Sequence, residues 1–138
     1  MSEATDDQPH GDLTVRLIAM PADTNANGDI FGGWVLSQMD QAGGIAAVER
    51  AQGRVVTIAV EAMTFIRPVK VGDVLCVYTS VEKVGRTSMK IHIEAWARRF
   101  RTHSDARIGC LPRSVPAQNS MRRCTRRASP GRASTSKW

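Results

Sequence analysis

Apolar residues follow two different periods along the first hundred positions of the chain. From residue 34 to residue 53 they recur every three or four positions, which predicts one amphipathic helix with Gly53 as its stop signal. The apolar face of this helix consists of Val35, Leu36, Met39, Ala42 and Ala46. Alternating or β-branched runs predict strands over residues 13–20, 55–69, 73–84 and 87–100. This order predicts an α+β fold, in which an antiparallel sheet carries one helix on a face.

The loop between the first strand and the helix has demanding backbone geometry. Residues 21–33, PADTNANGDIFGG, are dense in Pro, Asp, Asn and Gly, and the glycines permit positive φ and close backbone approach. At the start of a helix, unpaired N–H groups and the positive end of the dipole can stabilise a negative oxygen. The loop is therefore a candidate oxyanion hole, although on composition alone a tight turn with a helix cap is the more common explanation.

Two polar residues near this loop are candidates for chemistry. Asp40 lies at the edge of the apolar face, beside Leu36 and Gly43, where partial desolvation would make its carboxylate a stronger base toward water. A solvated helical aspartate is the more common alternative. Gly43 and Gly44 cost roughly 1 kcal/mol each within a helix and leave room for a substrate chain or a partner subunit. Asn25 could orient a water or a reacting carbonyl, or it could simply shape the turn.

Basic residues occur near the predicted strand ends and turns. Arg67 and Lys70 belong to the segment FIRPVKVGD, and Lys83, Arg86 and Lys90 surround a later turn. Such side chains can contact phosphate groups, whereas each one alone is more simply a solvated residue at the rim. The sequence has no GxSxG nucleophile motif and no P-loop, and its three histidines have no metal-ligand spacing with the cysteines. Ser–His–Asp and Cys–His hydrolase chemistry is therefore disfavoured.

Composition limits the kind of protein and the compartment that we expect. The 138 residues, 42% of them hydrophobic, suit one domain, and no apolar run approaches the roughly 20 residues of a membrane span. Residues 1–12 are acidic and polar, which predicts a flexible lead-in and no secretory signal. Cys76, Cys110 and Cys124 form no C-x-x-C pair and leave one cysteine unpaired, so we expect a reducing, cytoplasmic environment.

The positive charge is concentrated in a C-terminal tail. Residues 1–100 carry 10 Lys and Arg against 12 Asp and Glu, whereas residues 101–138 carry 9 against the single Asp105. This tail has no sustained apolar period and is rich in Arg, Ser and Pro, so we predict that it is largely disordered. Nucleic-acid binding through the tail is a remote alternative, because Trp138 is its one aromatic residue.

The chain closely resembles bacterial acyl-CoA thioester hydrolases of the YciA type. The resemblance is carried by AMPADTNANGDIFGGWVLSQMDQAGG at residues 19–44, by GRVVTIAVEAMTFIRPVKVGD at residues 53–73 and by KVGRTS at residues 83–88. It covers roughly residues 13–100 without a break and implies a hotdog fold, an antiparallel sheet wrapped around a central helix. It also implies dimers, commonly assembled into hexamers as trimers of dimers, that act on acyl-CoA without a metal or redox cofactor.

The resemblance further assigns roles to individual residues. It implies an active site at the dimer interface, where Asp40 of one subunit, as general base or nucleophile, meets Asn25 of the other. Backbone amides around Gly32 and Gly33 would form the oxyanion hole. Coenzyme A would lie near the turns at residues 67–73 and 85–88, where the candidate contacts are Arg67, Lys70, Gly85, Arg86, Thr87 and Ser88.

The tail departs from the family pattern. In that pattern one more apolar strand follows residue 100 and lies inside the sheet, between the fourth strand and the long second strand, where its absence would leave backbone groups unpaired. We therefore hypothesise that residues from about 101–109 onward are a frameshifted translation. The hypothesis fails if the coding DNA, read in its other two frames, offers no apolar strand. An alternative function follows: a hotdog body that binds acyl-CoA but is catalytically impaired by its altered tail.

Overall fold

The computed structural model describes residues 8–60, 63–99, 104–110 and 119–123. These residues form one α-helix, one short 3-10 helix and seven strands. In chain order these are β1 (Asp12–Ile18), a short 3-10 helix (Pro21–Asp23), α1 (Gly32–Ala51), β2 (Val55–Val60), β3 (Thr64–Phe65), β4 (Val74–Val84), β5 (Ser88–Arg99), β6 (Ser104–Cys110) and β7 (Asn119–Arg123).

The strands form one antiparallel sheet with β5 at its centre. β5 pairs with β4 along one edge, and β1 pairs with the far side of β4. The other edge of β5 is shared by β6, beside residues 94–99, and by β7, beside residues 88–91. β3 then pairs with β6, and β2 pairs with β7. One helix packed on an antiparallel sheet confirms the predicted α+β architecture.

The main core lies between α1 and the centre of the sheet. Alternate residues of β4 and β5 face the helix, as expected for a period of two, and four of the branched ones are each at most 1% exposed. These are Leu75, Val77, Ile91 and Ile93. The helix contributes Val35, Met39, Ala42 and Ala47 to the same cluster. Three of these four, all but Ala47, belong to the apolar face that the sequence predicts.

The helix boundaries differ slightly from the predicted ones. α1 begins at Gly32, two residues early, and ends at Ala51. Gln52 terminates it in a left-handed conformation with φ of 51°, and its backbone N–H donates to the carbonyl of Val48 at 2.8 Å. The side-chain amide of Gln52 donates to the carbonyl of Glu49, so a residue with a hydrogen-bonding side chain ends the helix one position before Gly53.

The predicted long strand over residues 55–69 consists of two shorter strands, β2 and β3. Residues 61 and 62 lie between them and outside the described part of the chain. Among the described strands, β2 pairs with β7 alone, so its other edge is open. Val56, Ile58 and Val60 of this edge strand are each more than 40% exposed. β2 is therefore an apolar edge, which proteins normally cover.

The outer face of β5 is buried as well, although it carries polar side chains. Glu94 is 2% exposed and His92 is 8% exposed. The Glu94 carboxylate lies 3.0 Å from Nε2 of His92 and accepts a hydrogen bond from Trp96 Nε1 at 2.9 Å and one from the backbone N–H of His10 at 3.3 Å. Burial alone would raise the pKa of Glu94, but these contacts and the charge of Arg107 lower it to about 2.

Two strands lie within the tail, so the prediction of disorder is wrong for Ser104–Cys110 and Asn119–Arg123. They follow each other along β5 at the interior position where the family pattern places its last strand. The edge of β5 requires backbone partners, and backbone pairing does not need an apolar period. Ile108 of β6 also reaches the main core and is 2% exposed. The rest of residues 101–138 lies outside the described part of the chain.

Candidate functional site

Asn25 organises the loop that precedes the helix. Its side-chain Oδ1 accepts hydrogen bonds from the backbone N–H of Asn27 at 2.9 Å and of Asp29 at 3.1 Å. Its own backbone N–H donates to the carbonyl of Asp29 at 2.6 Å, and Gly28 turns the chain with a positive φ of 81°. Because the carbonyl oxygen of the Asn25 side chain is engaged within the loop, the Nδ2 amide group is the part left to bind a ligand.

The predicted oxyanion amides lie at the start of α1. Gly32 and Gly33 are its first two residues, and no hydrogen bond from either backbone N–H occurs among the described residues. Phe31 precedes them and makes no side-chain cap. A Cβ on Gly33 would meet nothing within 4 Å, whereas one on Gly32 would lie 3.1 Å from the Phe65 ring. Both amides are therefore available to a negative oxygen.

Asp40 is exposed within one chain, which differs from the partial burial expected from its place at the edge of the apolar face. Its Oδ1 accepts a hydrogen bond of 2.8 Å from the hydroxyl of Thr57 on β2. Thr57 therefore joins the candidate site, and the sequence interpretation missed it. The available signal was a hydroxyl two residues after Val55, in the alternate positions of β2 that face the helix.

A cavity of about 300 Å³ adjoins the loop and the helix start. Asn25 and Gly32 line its polar side together with Asp29 and Arg67, and the remaining lining is largely apolar. The apolar lining consists of Ile30, Val35, Phe65, Ile66, Pro68, Val69 and Ile108. An apolar cavity with a few convergent polar groups is typical of a small-molecule site.

The predicted coenzyme A contacts divide into two groups at opposite ends of α1. Arg67 lines the cavity at the start of the helix, and the Lys70 ammonium forms an ion pair with Asp29 nearby. The turn of Gly85, Arg86, Thr87 and Ser88 lines a smaller cavity of about 160 Å³ with Arg50 and Ala51 at the helix end. A helix of this length spans about 30 Å, so one chain does not bring the two groups together.

The catalytic candidates are separated in the same way. Asp40 follows Gly32 by eight residues, or about 12 Å along the helix axis, so its carboxylate does not reach the amides of its own chain.

Within the described part of the chain, no three His, Cys, Asp or Glu side chains are grouped so that they could hold a metal ion. In the same residues, no helix has the length and apolar character needed to cross a membrane.

Known thioesterase sequences resemble this chain. A family model described as the thioesterase superfamily matches residues 27–100. The acyl-CoA thioester hydrolase YciA of Salmonella typhimurium is 61% identical over 94 residues, which are 68% of this chain and 71% of that protein. The protein of the same name from Escherichia coli is 60% identical over 95 residues, which are 69% and 72% of the two chains.

Solved structures extend the likeness to three dimensions. The hexameric thioesterase y2039 of Yersinia pestis superposes with a TM-score of 0.72 at 47% identity, covering 84% of this chain and 92% of that one. Cj0915, a hexameric hotdog fold thioesterase of Campylobacter jejuni, gives a TM-score of 0.68 at 36% identity, covering 81% and 80%. HI0827, a hexameric broad specificity acyl-coenzyme A thioesterase, gives 0.72 at 40% identity, covering 93% and 90%. The chain therefore belongs to the thioesterase superfamily, with its hotdog fold, and within it to the acyl-CoA thioester hydrolases of the YciA type.

Proposed function

We propose that this protein hydrolyses acyl-CoA thioesters to a free acid and coenzyme A in the cytoplasm. Asp40 takes a proton from a water molecule while the water oxygen attacks the thioester carbonyl carbon. The negative oxygen that forms is held by the amides of Gly32 and Gly33 and by the Nδ2 group of Asn25. When the carbon–sulfur bond breaks, the coenzyme A thiolate leaves and recovers the proton from Asp40.

The observation that carries this proposal is the exposed stripe around Asp40. Gly33, Asp40 and Gly44 recur at helical spacing on one side of α1, and a Cβ on either glycine would meet nothing within 4 Å. Thr57 holds one carboxylate oxygen and leaves the other for a water. Open space above a fixed carboxylate accommodates the substrate and the glycine-rich loop of a second subunit.

Each active site is built from two subunits in this proposal. The amides of Gly32 and Gly33 lie about 12 Å along the axis from Asp40 of the same chain, so a second copy must supply them. The open edge of β2, next to Thr57, is suited to pairing with another copy because its apolar side chains are exposed. The named hexameric relatives support a dimer that assembles further as a trimer of dimers.

A two-fold arrangement also unites the proposed coenzyme A contacts. Two antiparallel helices side by side place the start of one α1 on the same side of the pair as the end of the other. Arg67 of one subunit and the turn of Gly85, Arg86, Thr87 and Ser88 of its partner then lie on that side, spaced along the helix axis. Together they form a cradle for the phosphates of coenzyme A, because arginine and backbone N–H groups at turns both bind phosphate oxygens.

The proposal is tested with the Asp40→Ala variant. We expect its turnover of acyl-CoA to fall by about 10²–10⁴, the contribution of a positioned general base, while the oligomer and its affinity for coenzyme A are retained. Thiol release measures turnover, a coenzyme A titration measures binding, and light scattering measures the oligomer. Glu49→Ala is the matched control, since it removes an exposed carboxylate from the opposite side of the same helix. Unchanged turnover in Asp40→Ala would refute the assignment.

A further inference from the structure

Asp29 encloses the Asn25 side chain from the far side of the loop. The backbone carbonyl of Asp29 accepts from the backbone N–H of Asn25, and the backbone N–H of Asp29 donates to Oδ1 of Asn25. Two hydrogen bonds between the same pair of residues fix both the backbone and the side-chain amide of Asn25. The orientation of the Nδ2 group therefore depends on where Asp29 is held.

Lys70 holds Asp29 in place. Its ammonium forms an ion pair with Oδ1 of Asp29, and the backbones of the two residues form an isolated antiparallel bridge. The backbone N–H of Lys70 donates to Oδ2 of Asp73 at 3.0 Å, and Asp73 is only 6% exposed. The chain of contacts thus runs from the buried carboxylate of Asp73, just before β4, through Lys70 and Asp29, to Asn25.

We propose that Asp29 and Lys70 are positioning residues that fix the Asn25 amide, an inference that rests on the proposed role of Asn25 in thioester hydrolysis. Lys70 then acts through Asp29 and is not a ligand of the coenzyme A phosphates. The Nδ2 group can donate to the thioester carbonyl only while Oδ1 stays turned into the loop. A group placed in advance accelerates the reaction because it need not be ordered in the transition state.

If the Lys70–Asp29 pair only supported the fold, its loss would lower the unfolding temperature together with turnover. The Lys70 side chain is 51% exposed and the Asp29 side chain is 27% exposed, so their ion pair contributes little to the stability of the whole protein. Loss of the pair should therefore change turnover while the unfolding temperature stays nearly constant. This separation of turnover from unfolding distinguishes positioning of the loop from support of the fold.

The test measures kcat and KM for the full-length protein on two substrates, an acyl-CoA and the matching acyl-pantetheine, which carries no phosphate group and no adenosine. For Lys70→Ala and Asp29→Asn we expect kcat to fall by roughly ten- to a hundredfold on both substrates, because a misplacement of about 1 Å costs that much. The reversed pair, Asp29→Lys with Lys70→Asp, should regain most of the loss. Asp12→Asn is the control, an exposed carboxylate on β1 outside the loop.

Other outcomes contradict the inference. If Lys70→Ala raises KM for acyl-CoA alone and leaves kcat intact, Lys70 binds phosphate and the positioning role fails. If the wild-type protein releases no thiol, the proposed function fails first, and hydrogen exchange then tests the contact without catalysis. We expect the amides of Asn27 and Asp29, which donate to Asn25, to exchange about tenfold faster in Lys70→Ala. Unchanged exchange at both amides would overturn the inference.

Discussion

The two faces of β5 are both buried, but by different means. Toward α1 the strand presents Ile91, Ile93 and other apolar side chains that pack against the helix. Away from α1 it presents a carboxylate, Glu94, enclosed by an imidazole, an indole and an arginine. The apolar face needs only side chains of suitable size and shape. The polar face needs particular donors at particular places, because an unpaired buried carboxylate is costly.

This difference shows how the ends of the chain are joined to the body. The partners of Glu94 come from three segments: His10 precedes β1, His92 and Trp96 flank Glu94 on β5, and Arg107 lies on β6. Arg107 also stacks on the Trp96 ring, 5.3 Å from its centre. The apolar face attaches the helix, whereas the polar face attaches the lead-in segment and the tail strand.

The largest expected effect comes from a cavity on the apolar face. Ile93→Ala should lower the free energy of unfolding by about 2–5 kcal/mol, since it removes fully buried methylene groups from the main core. Urea unfolding followed by circular dichroism measures the loss, which should be the same at pH 7 and pH 5. If Ile93→Ala lowers the free energy of unfolding by less than the outer-face variant Glu94→Gln does, the polar cluster around Glu94 contributes more to stability than the contact of β5 with the helix.

An intermediate, pH-dependent effect is expected on the polar face. Glu94→Gln should lower the free energy of unfolding by about 1–3 kcal/mol at pH 7, where the ionised carboxylate accepts hydrogen bonds from its neighbours. The pKa of Glu94 is lowered from 4.5 to about 2, so its ionised form contributes stability above pH 4.5 that is lost as the pH falls toward 2.

The wild-type protein should therefore lose more stability than Glu94→Gln between pH 5 and pH 3. Thermal unfolding of the two proteins across this range measures the difference. Parallel pH profiles would show that Glu94 does not carry the acid sensitivity. Ile93→Val serves as the control, because a small loss of core packing should shift both ends of the profile equally.

The smallest effect on stability is expected at an exposed ion pair between β5 and β6. Arg98 on β5 donates two hydrogen bonds to the Asp105 carboxylate on β6, at 2.7 and 2.9 Å, and this contact lowers the pKa of Asp105. Both side chains are at least 40% exposed, so Arg98→Ala should lower the free energy of unfolding less than Glu94→Gln does, and less still at high salt. A larger loss in chemical denaturation would mean that this pair, too, anchors the tail strand.

The tail illustrates where sequence periodicity stops being informative. β6 has no alternating apolar pattern, yet Ile108 enters the core, Asp105 matches Arg98, and Arg107 contacts Glu94. These matches are visible only once β5 and β6 are aligned, because each partner lies on a different strand. The fit of residues 105–108 to the body leads us to expect that any frameshift begins beyond them. The frameshift itself stays a hypothesis for the coding DNA to test.

The sequence predicts candidate residues for the site, but it does not predict the contacts that hold them. The loop of Asn25, the glycines at the helix start and Asp40 were identified from residue types and from the family resemblance. The sequence does not reveal that Thr57 contacts Asp40, nor that the Lys70 ammonium, predicted to contact phosphate, pairs with Asp29. Both contacts join segments that are 17 or more residues apart, so spacing along the chain carries no information about them.

The sequence by itself determined the helix, most of the strands and the family, because hydrophobic period and local backbone preference act between neighbouring residues. Only the tertiary structure decided that Asp40 is open and held by β2, that the outer face of β5 is buried, and that the tail supplies two strands. Those outcomes depend on which backbone and polar groups form hydrogen bonds with each other across long stretches of sequence. These partners are determined only when the strands pair to form the sheet.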